Sequence, residues 1–365
     1  MKIIHCADIH LGSSLTANFD KRKADERKAE LFTTFSKMFE YANNNSVGTI
    51  IIAGDLFDKD EGLKKLKNNV VNLIEKYPHI SVYYTKGNHD NKNAFENIPS
   101  NLYFFKESDW TTYLVPNSKK IKITSIELNR NNKGYIYNTL NLKNDDFNIV
   151  VMHGQETNSD GKRDAETINL NSLKGRNIDY LALGHIHTYK ETKLDNRCTY
   201  CYSGCLEGRG FDETGEHGFV LLDIDEDKHT YTTLFVPFSK RKIYYEEIDV
   251  SKATNTISAI DIIKDKIQNL NSKEESLAEF VLTGDLDLDV NIDEDCIYSK
   301  FKDDFYLLKI RSNYSIRINY KDFENDESLK GEFVRLVMND NSINEEEKEK
   351  IIKYGLDALM GKELS

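Results

Sequence analysis

Residues 49–58 of the chain read TIIIAGDLFD, and this stretch decides the fold. The apolar run Thr49–Ala53 ends at a glycine and two aspartates, which is typical of a buried strand that stops at a polar edge. Similar apolar runs lie at Lys2–Cys6 and Ile80–Thr85, and a helical pattern covers Arg27–Asn43 between the first two strands. This β-α-β alternation predicts a layered α/β domain.

From Trp110 onward, predicted strands follow one another more closely. The later ones are Asn148–Met152, Tyr180–Leu183, Phe219–Ile224 and Tyr231–Val236. Two sheets packed between helices accommodate all of these strands, so we expect a layered sandwich over residues 1–237. The pattern changes after Pro237, the last of four prolines. It predicts a smaller α+β domain over residues 238–340 and a C-terminal helix within 341–365.

Composition excludes several classes of protein. Hydrophobic residues make up 39% of the chain and charged residues 30%, which excludes a disordered chain. A net charge of −12 excludes bulk attraction to nucleic-acid phosphates as the main binding force, so phosphate chemistry would need locally bound positive charge such as metal. We find neither a secretion signal nor an apolar run of about 18 residues, and expect a cytoplasmic protein with no membrane association.

Short motifs rich in metal-ligating side chains follow five of the apolar runs. They are DIH at 8–10, GDLFD at 54–58, GNHD at 87–90, MHG at 152–154 and GHIH at 184–187. Alternate residues of an extended chain face the same side, so Asp8 with His10, and His185 with His187, can each address one site. Nitrogen and oxygen ligands without thiolates favour Mn²⁺ or Fe²⁺. A bridging carboxylate would hold two such ions about 3.5–4 Å apart.

Over roughly residues 1–236 these motifs resemble those of the calcineurin-like metallophosphoesterase superfamily. Within it, the motifs are similar to those of SbcD-type nucleases of double-strand-break repair. The region after residue 238 resembles their capping domain in its position along the chain and in its α+β pattern. The loop Tyr202–Gly218, YSGCLEGRGFDETGEHG, is closer to the YhaO-like subgroup of DNA repair exonucleases. The resemblance implies a dinuclear metal-dependent phosphodiesterase that acts as a DNA exonuclease and endonuclease.

The resemblance also implies roles for individual residues. Metal ligands would be Asp8, His10, Asp55 and His187 for the first ion, and Asp55, Asn88, His153 and His185 for the second, with Asp55 bridging. His89 would donate a proton to the leaving oxygen or stabilise the transition state, and Asp90 would orient it. Asp58 occupies a position where some relatives carry histidine. We expect its side chain to contact residues around the metal ions and not the ions themselves. Arg209 is a candidate contact for the substrate backbone.

The implied cofactors are two Mn²⁺ ions, with Fe²⁺ as the alternative. The implied partners are DNA, an SbcC-type ATPase with a long coiled coil, and a second copy of the chain in a homodimer. Two other functions stay open. One is a small-molecule or nucleotide phosphodiesterase of the same superfamily, and the other is an assembly subunit whose nuclease is silent without the ATPase.

Two apolar stripes on predicted helices bear on these partners. Phe35, Met38 and Phe39 are predicted to be core residues, with a dimer face as the alternative. Near the C-terminus, Ile352, Leu356 and Leu359 recur at helical spacing and predict a helix that docks on its own small domain or on the ATPase coiled coil. The basic run over residues 21–28 is diluted by acidic residues and is predicted to be a solvated start of a helix.

Overall fold

The computed structural model describes residues 1–15, 19–58, 64–90, 95, 97–158, 167–287, 290–317, 323 and 325–359. The chain forms two compact units, Met1–Ile243 and Tyr244–Ser365. The division into 1–237, 238–340 and 341–365 stays a prediction.

The described part of the first unit contains strands and helices that alternate at first and then give way to strands. The helices are α1 (Lys21–Asn44), α2 (Lys64–Lys76) and α3 (Ile136–Thr139). The strands are β1 (Lys2–Cys6), β2 (Thr49–Ala53), β3 (Ser81–Thr85), β4 (Leu102–Phe104), β5 (Thr111–Leu114), β6 (Ile121–Ser125), β7 (Phe147–His153), β8 (Gln155–Thr157), β9 (Thr167–Asn169), β10 (Tyr180–Gly184), β11 (Lys190–Lys193), β12 (Thr199–Tyr202), β13 (Gly218–Asp225) and β14 (Thr230–Pro237).

Most of these strands form two mixed sheets that pack face to face. The first has the order β14-β13-β1-β2-β3-β4 and the second the order β11-β12-β10-β7-β6-β5. In the first sheet β1, β2, β3 and β4 pair in parallel, and in the second β6, β7, β10 and β12 do so. One apolar cluster takes side chains from both sheets, among them Ile51, Val151 and Ala182. The predicted layered α/β sandwich is therefore confirmed.

Helix α1 covers the outer side of the first sheet. It begins at Lys21, earlier than the predicted Arg27, because the Asp20 side chain accepts a hydrogen bond from Lys23 N at 2.9 Å and caps the helix. Tyr41 of α1 makes an edge contact with Phe219 of β13. The stripe Phe35, Met38 and Phe39 is fully buried within the chain, so it belongs to the core and the dimer-face alternative is wrong for these residues.

The basic run at the start of α1 differs from its prediction at one residue. Arg27 is completely buried instead of solvated. Its guanidinium pairs with Glu30 one turn along the helix and donates to the Gly208 carbonyl at 2.7 Å. A buried arginine needs such partners because burying an unpaired charge is costly. Arg27 therefore ties α1 to the loop that follows β12.

The second unit combines a small sheet with helices. Strands β15 (Ile243–Asp249), β16 (Leu277–Thr283) and β18 (Leu307–Ser312) form the sheet, while β17 (Asp285–Asp287) pairs with β19 (Ser315–Arg317). Helices α4 (Thr256–Ile267) and α5 (Glu294–Phe301) bury apolar side chains in the same cluster as this sheet. Helices α6 (Leu329–Asn339) and α7 (Glu345–Leu359) form a pair with a core of its own.

The predicted stripe on the last helix divides between core and surface. Ile352 and Leu356 are buried in the α6–α7 core with Val334 and Val337, whereas Leu359 is 40% exposed. Of the two predicted docking surfaces, the helix's own small domain is therefore confirmed for Ile352 and Leu356, and the coiled-coil alternative is wrong for these two side chains because α6 covers them. Binding of an ATPase elsewhere on this region stays a prediction. None of the helices in the described residues is long and apolar enough to cross a bilayer.

Candidate metal centre

The predicted site motifs meet where the two sheets present the carboxyl ends of their parallel strands. Asp8 and Asp55 follow the neighbouring strands β1 and β2, while His153 ends β7 and His185 follows its neighbour β10. Backbone hydrogen bonds join the loops in pairs, with Asp8 N bonded to Gly54 O at 3.1 Å and Gly154 N to Gly184 O at 3.1 Å. The sheet packing therefore brings these four motifs to one edge.

Backbone strain is concentrated at this edge. Asp8, His10, Asp55 and His185 have φ values of 51°, 48°, 51° and 103°, a region that side chains other than glycine rarely adopt. Each such residue costs about 1–3 kcal/mol, so surrounding contacts must hold it. His10 N bonds to Asp55 O at 2.9 Å, and His185 N bonds to the Asp8 carboxylate oxygens at 3.0 and 2.9 Å. The loops support one another's strained conformations.

Two glycines allow the loops to approach closely. A Cβ atom on Gly184 would lie 1.9 Å from the Ala53 carbonyl, and one on Gly54 would lie 2.1 Å from His153 Nδ1. Because both positions lack a side chain, His153 Nδ1 can reach Ala53 O at 2.9 Å. This bond ties His153, from the second sheet, to the end of β2 in the first sheet.

One group of candidate ligand atoms consists of Asp8, His10 and His187, which all lie within 4.8 Å of one another. The Nε2 atoms of His10 and His187 face each other at 3.3 Å. Both Asp8 and His10 are almost fully buried. The structure thus brings together three of the four residues predicted for the first ion, and the fourth, Asp55, lies beside them.

A second group consists of Asp8, Asp55 and His153, again within 4.8 Å. Asp55 Oδ2 lies 3.3 Å from His153 Nε2 and 3.8 Å from His10 Nε2, so this oxygen stands between the two groups. Asn88 Oδ1 lies 3.0 Å from His153 Nε2. The ring of His185 meets that of His153 edge-on, with centroids 5.3 Å apart. All seven predicted ligands therefore lie in one cluster, and their metal-binding role stays a prediction.

The electrostatics of the cluster suit cations. Burial raises the pKa of Asp8 to about 6 and lowers that of His10 to about 3. Burial opposes the charged forms of Asp55 and His153, but their mutual hydrogen bond and opposite charges outweigh it, lowering the pKa of Asp55 and raising that of His153 to about 9. Metal binding requires neutral imidazoles and ionised carboxylates. A divalent cation would take the place of the proton that His153 shares with Asp55, and the oxygen and nitrogen donors fit such an ion.

His89 is positioned by two carboxylates, and neither belongs to Asp90. Its backbone N donates to Asp55 Oδ1 at 2.8 Å, and its ring Nδ1 lies 2.9 Å from Asp58 Oδ1. Asp90 instead accepts hydrogen bonds from the backbone N of Phe57 and of Gly87, both at 2.9 Å. We therefore correct the predicted role of Asp90. It braces the loops, while Asp58 contacts the ring of His89.

Arg209 lies beside the cluster, where it contacts protein carboxylates. Its guanidinium Nη2 donates to Glu213 Oε1 at 2.9 Å, and Nη1 lies 3.9 Å from Asp58 Oδ2. A contact with the substrate backbone stays a prediction for Arg209. The sequence reasoning missed Glu213, whose Oε1 lies 2.6 Å from His187 Nδ1. No local spacing pointed to Glu213, because it lies 26 residues after His187 in a loop without helical periodicity.

Glu213 carries its negative charge in a buried position. Burial alone would raise its pKa, but the hydrogen bond with His187 and the charge of Arg209 outweigh burial and hold the pKa well below its usual range. The carboxylate is therefore ionised near neutral pH and can accept hydrogen bonds from both neighbours.

Comparisons with known proteins agree with this geometry. The family model described as calcineurin-like phosphoesterase matches residues 1–189. The uncharacterized metallophosphoesterase YhaO of Bacillus subtilis (strain 168) is 25% identical over 75% of this chain and 69% of its own length. The DNA double-strand break repair proteins Mre11 of Aeropyrum pernix and Thermoplasma acidophilum are each 22% identical, over 71% and 82% of this chain and 66% and 82% of their own lengths. The matched family model spans more than half of the chain and includes all seven predicted ligands, and the chain belongs to the calcineurin-like phosphoesterase family.

Proposed function

We propose that this protein is a metal-dependent DNA nuclease that hydrolyses phosphodiester bonds in double-strand-break repair, as an exonuclease and endonuclease. The observation that carries the proposal is the position of Asp55 Oδ2, between His10 Nε2 at 3.8 Å and His153 Nε2 at 3.3 Å. A carboxylate between two nitrogen-containing ligand groups suits a pair of ions. Similarity to proteins named for DNA double-strand break repair supports DNA as the substrate.

The cofactors we propose are two Mn²⁺ ions, with Fe²⁺ as the alternative. Bound between these ligands, the ions would neutralise phosphate charge and lower the pKa of water. This local charge would offset the net charge of −12, which otherwise repels DNA. Besides the two groups described above, His10, Asp58 and His89 form a third group of candidate ligand atoms. None of these three groups in the described residues contains a thiolate, which supports manganese or iron over a structural zinc site.

His89 is the residue that we propose moves a proton. Nδ1 is hydrogen-bonded to Asp58 Oδ1 at 2.9 Å, so Nε2 is the ring nitrogen that we propose meets the substrate. In this role Nε2 would donate a proton to the leaving oxygen of the cleaved bond. The ring meets His10 edge-on with centroids 4.9 Å apart, which places it next to the ligand cluster without making it one of the seven proposed ligands.

The test is an assay of the purified chain with Mn²⁺ on labelled duplex, single-stranded and hairpin DNA, beside bis-p-nitrophenyl phosphate. We expect cleavage of DNA that depends on Mn²⁺ and is absent from a His153→Ala variant, which controls for contaminating nucleases. Hydrolysis of the small ester without any DNA cleavage would contradict the proposal and favour a small-molecule phosphodiesterase. DNA cleavage that begins only when the ATPase is added would instead favour the silent-subunit alternative.

We also propose that an SbcC-type ATPase binds the outer face of the α6–α7 pair. Leu329 and Leu336 are 68% and 67% exposed and lie two helical turns apart on α6, a spacing that suits helix recognition. Replacing both with glutamate should abolish co-purification with the ATPase and leave thermal stability unchanged, since neither is buried. Retained binding by this variant would contradict the proposed surface.

A homodimer is the third part of the proposal, and its support is the resemblance to SbcD-type nucleases alone. Light scattering on the purified chain should give about twice the mass of 42.2 kDa. A mass of one chain at micromolar concentration would contradict a stable dimer.

A further inference from the structure

The loop after β12 contains an ion pair that contacts a predicted metal ligand. Glu213 is 8% exposed, and each of its carboxylate oxygens has a nitrogen partner. Oε1 accepts from Arg209 Nη2 at 2.9 Å and Nε at 3.2 Å, while Oε2 accepts from Arg209 N at 2.6 Å. Oε1 also lies 2.6 Å from Nδ1 of His187. The carboxylate is thus held in one orientation by Arg209 and presents one oxygen to the imidazole.

This contact decides which nitrogen of His187 carries the proton. Arg209 N–H groups donate to both oxygens of Glu213, so the carboxylate acts as an acceptor and Nδ1 of His187 is the donor to Oε1. The neutral ring then has its lone pair on Nε2, the atom that faces His10 Nε2 at 3.3 Å within the first ligand group. A hydrogen bond to the non-ligating nitrogen is the usual way in which proteins orient a metal-binding histidine.

The surroundings offer His187 a competing arrangement. Arg209 Nη2 lies 3.2 Å from His187 Nδ1, and without the carboxylate it would donate to that nitrogen. Nδ1 would then be an acceptor, the proton would move to Nε2, and Nε2 could no longer bind a metal. The same arginine therefore supports metal binding when it is paired with Glu213 and opposes it when the carboxylate is removed.

We propose that Glu213, fixed by Arg209, is a positioning residue that keeps His187 in the tautomer able to bind the first of the two metal ions. The inference rests on the proposed metal-binding function and adds to it a residue outside the ligand set. It also predicts an asymmetry. Loss of the Glu213 carboxylate should lower the affinity for the first ion and leave the affinity for the second unchanged. The second site does not depend on Glu213, because His153 Nδ1 is hydrogen-bonded to the Ala53 backbone carbonyl at 2.9 Å.

The test compares Glu213→Ala, which removes the acceptor of the His187 Nδ1 proton, with the matched control Glu216→Ala, whose side chain is 54% exposed in the same loop. Manganese binding to the metal-free protein is measured by titration calorimetry. For Glu213→Ala we expect the affinity of one of the two sites to fall by about 10–100-fold, the usual effect of removing a partner of a ligating histidine. Glu216→Ala should bind like the parent protein. If both sites of Glu213→Ala bind Mn²⁺ with the affinities of the parent protein, the proposal is overturned.

A spectroscopic measurement tests the same proposal without relying on a variant that folds. Nitrogen-15 NMR of the metal-free parent protein, at an alkaline pH that keeps the ring neutral, should show His187 protonated on Nδ1. Protonation on Nε2 would overturn the proposal. If the parent protein binds fewer than two Mn²⁺ ions, the proposed metal pair fails, while the NMR result still decides whether Glu213 sets the tautomer.

Discussion

The two sides of the candidate metal centre are supported in different ways. On one side, His153 directs Nδ1 to the backbone carbonyl of Ala53, at the end of a central strand. On the other side, His187 directs Nδ1 to the side chain of Glu213, which lies in the loop that follows β12. The hydrogen bond to Ala53 uses a backbone carbonyl, so it should remain after any side-chain substitution elsewhere that preserves the fold. The contact of His187 depends on one carboxylate.

The loop that carries Glu213 is itself held by charges. Arg27 of α1 donates to Gly208 O at 2.7 Å, and Thr34 donates to Glu207 Oε1 at 2.7 Å. Glu30 accepts from Arg241 Nη2 at 2.6 Å and pairs with Arg27. The His187 side of the centre is thus supported by a buried ionic network, whereas the His153 side is supported by strand hydrogen bonds. Substitutions can therefore separate the two sides.

The largest effect should come from the residue that both sides share. Asp55→Ala removes the oxygen between His10 and His153 and should abolish both metal binding and phosphodiesterase activity. Metal content measured by atomic emission should fall from two ions per chain toward none. The control is Asp261→Ala, an exposed position on α4, which should behave like the parent. Retention of two ions by Asp55→Ala would show that Asp55 is not the bridge.

A smaller effect should follow from removing a residue that lies beside the ligands. His89→Ser should keep both ions, because the backbone N that bonds to Asp55 remains. Turnover on DNA should fall by about 10²–10⁴-fold, the range for loss of a general acid. The loss should be smaller on bis-p-nitrophenyl phosphate, whose leaving group needs little protonation. Equal losses on both substrates would indicate positioning of the phosphate instead of proton transfer.

The ionic support of the His187 side can be tested through stability. Arg27→Met removes one cation that pairs with Glu30 and the donor to Gly208 O, while Arg241 still pairs with Glu30. It should lower the free energy of unfolding by about 1–3 kcal/mol, the cost of a buried hydrogen-bonding group that loses its partner. Urea unfolding of the metal-free protein measures this change. Lys28→Met, whose side chain is 37% exposed, serves as the control and should change stability by less than about 0.5 kcal/mol. If Arg27→Met lowers the free energy of unfolding by no more than Lys28→Met does, the ionic network does not support the loop.

The smallest effect concerns pH. Burial opposes ionisation of Glu30, but hydrogen bonds from Arg241, Lys240 and Arg27 outweigh it and lower its pKa from 4.5 to about 2. A lowered acid pKa stabilises the folded state at pH values above the ordinary pKa of 4.5, and this contribution is lost as the pH falls from 4.5 toward 2. The stability difference between the parent and Glu30→Gln should therefore narrow over this range. A difference that is constant with pH would contradict the account.

The same contrast explains which features could be predicted from sequence. The strand ends were predictable because an apolar run followed by a Gly-Asp or Gly-His motif indicates a buried strand that stops at a polar edge. Packing of the two sheets then brings these strand ends together. The support of His153 follows from Gly54 and Gly184, which permit the close approach of backbone and ring. Each of these signals lies within a few residues of the ligand that it positions.

The unpredicted features depend on contacts between distant segments. Glu213 lies 26 residues after His187, and Arg27 lies 180 residues before Glu207, so no local spacing links them. Asp90 follows His89 directly, yet its carboxylate turns to backbone N–H groups of Phe57 and Gly87. Adjacent residues of a loop face different directions, and sequence order alone did not distinguish Asp58 from Asp90 as the neighbour of His89.

Anomalous X-ray diffraction from crystals soaked in Mn²⁺ tests the proposed metal centre most directly. We expect two manganese peaks about 3.5–4 Å apart, with the Asp55 carboxylate between them. One peak should lie among Asp8, His10 and His187, and the other among Asn88, His153 and His185. A single peak, or a peak bound by His10, Asp58 and His89 in place of the first, would contradict it.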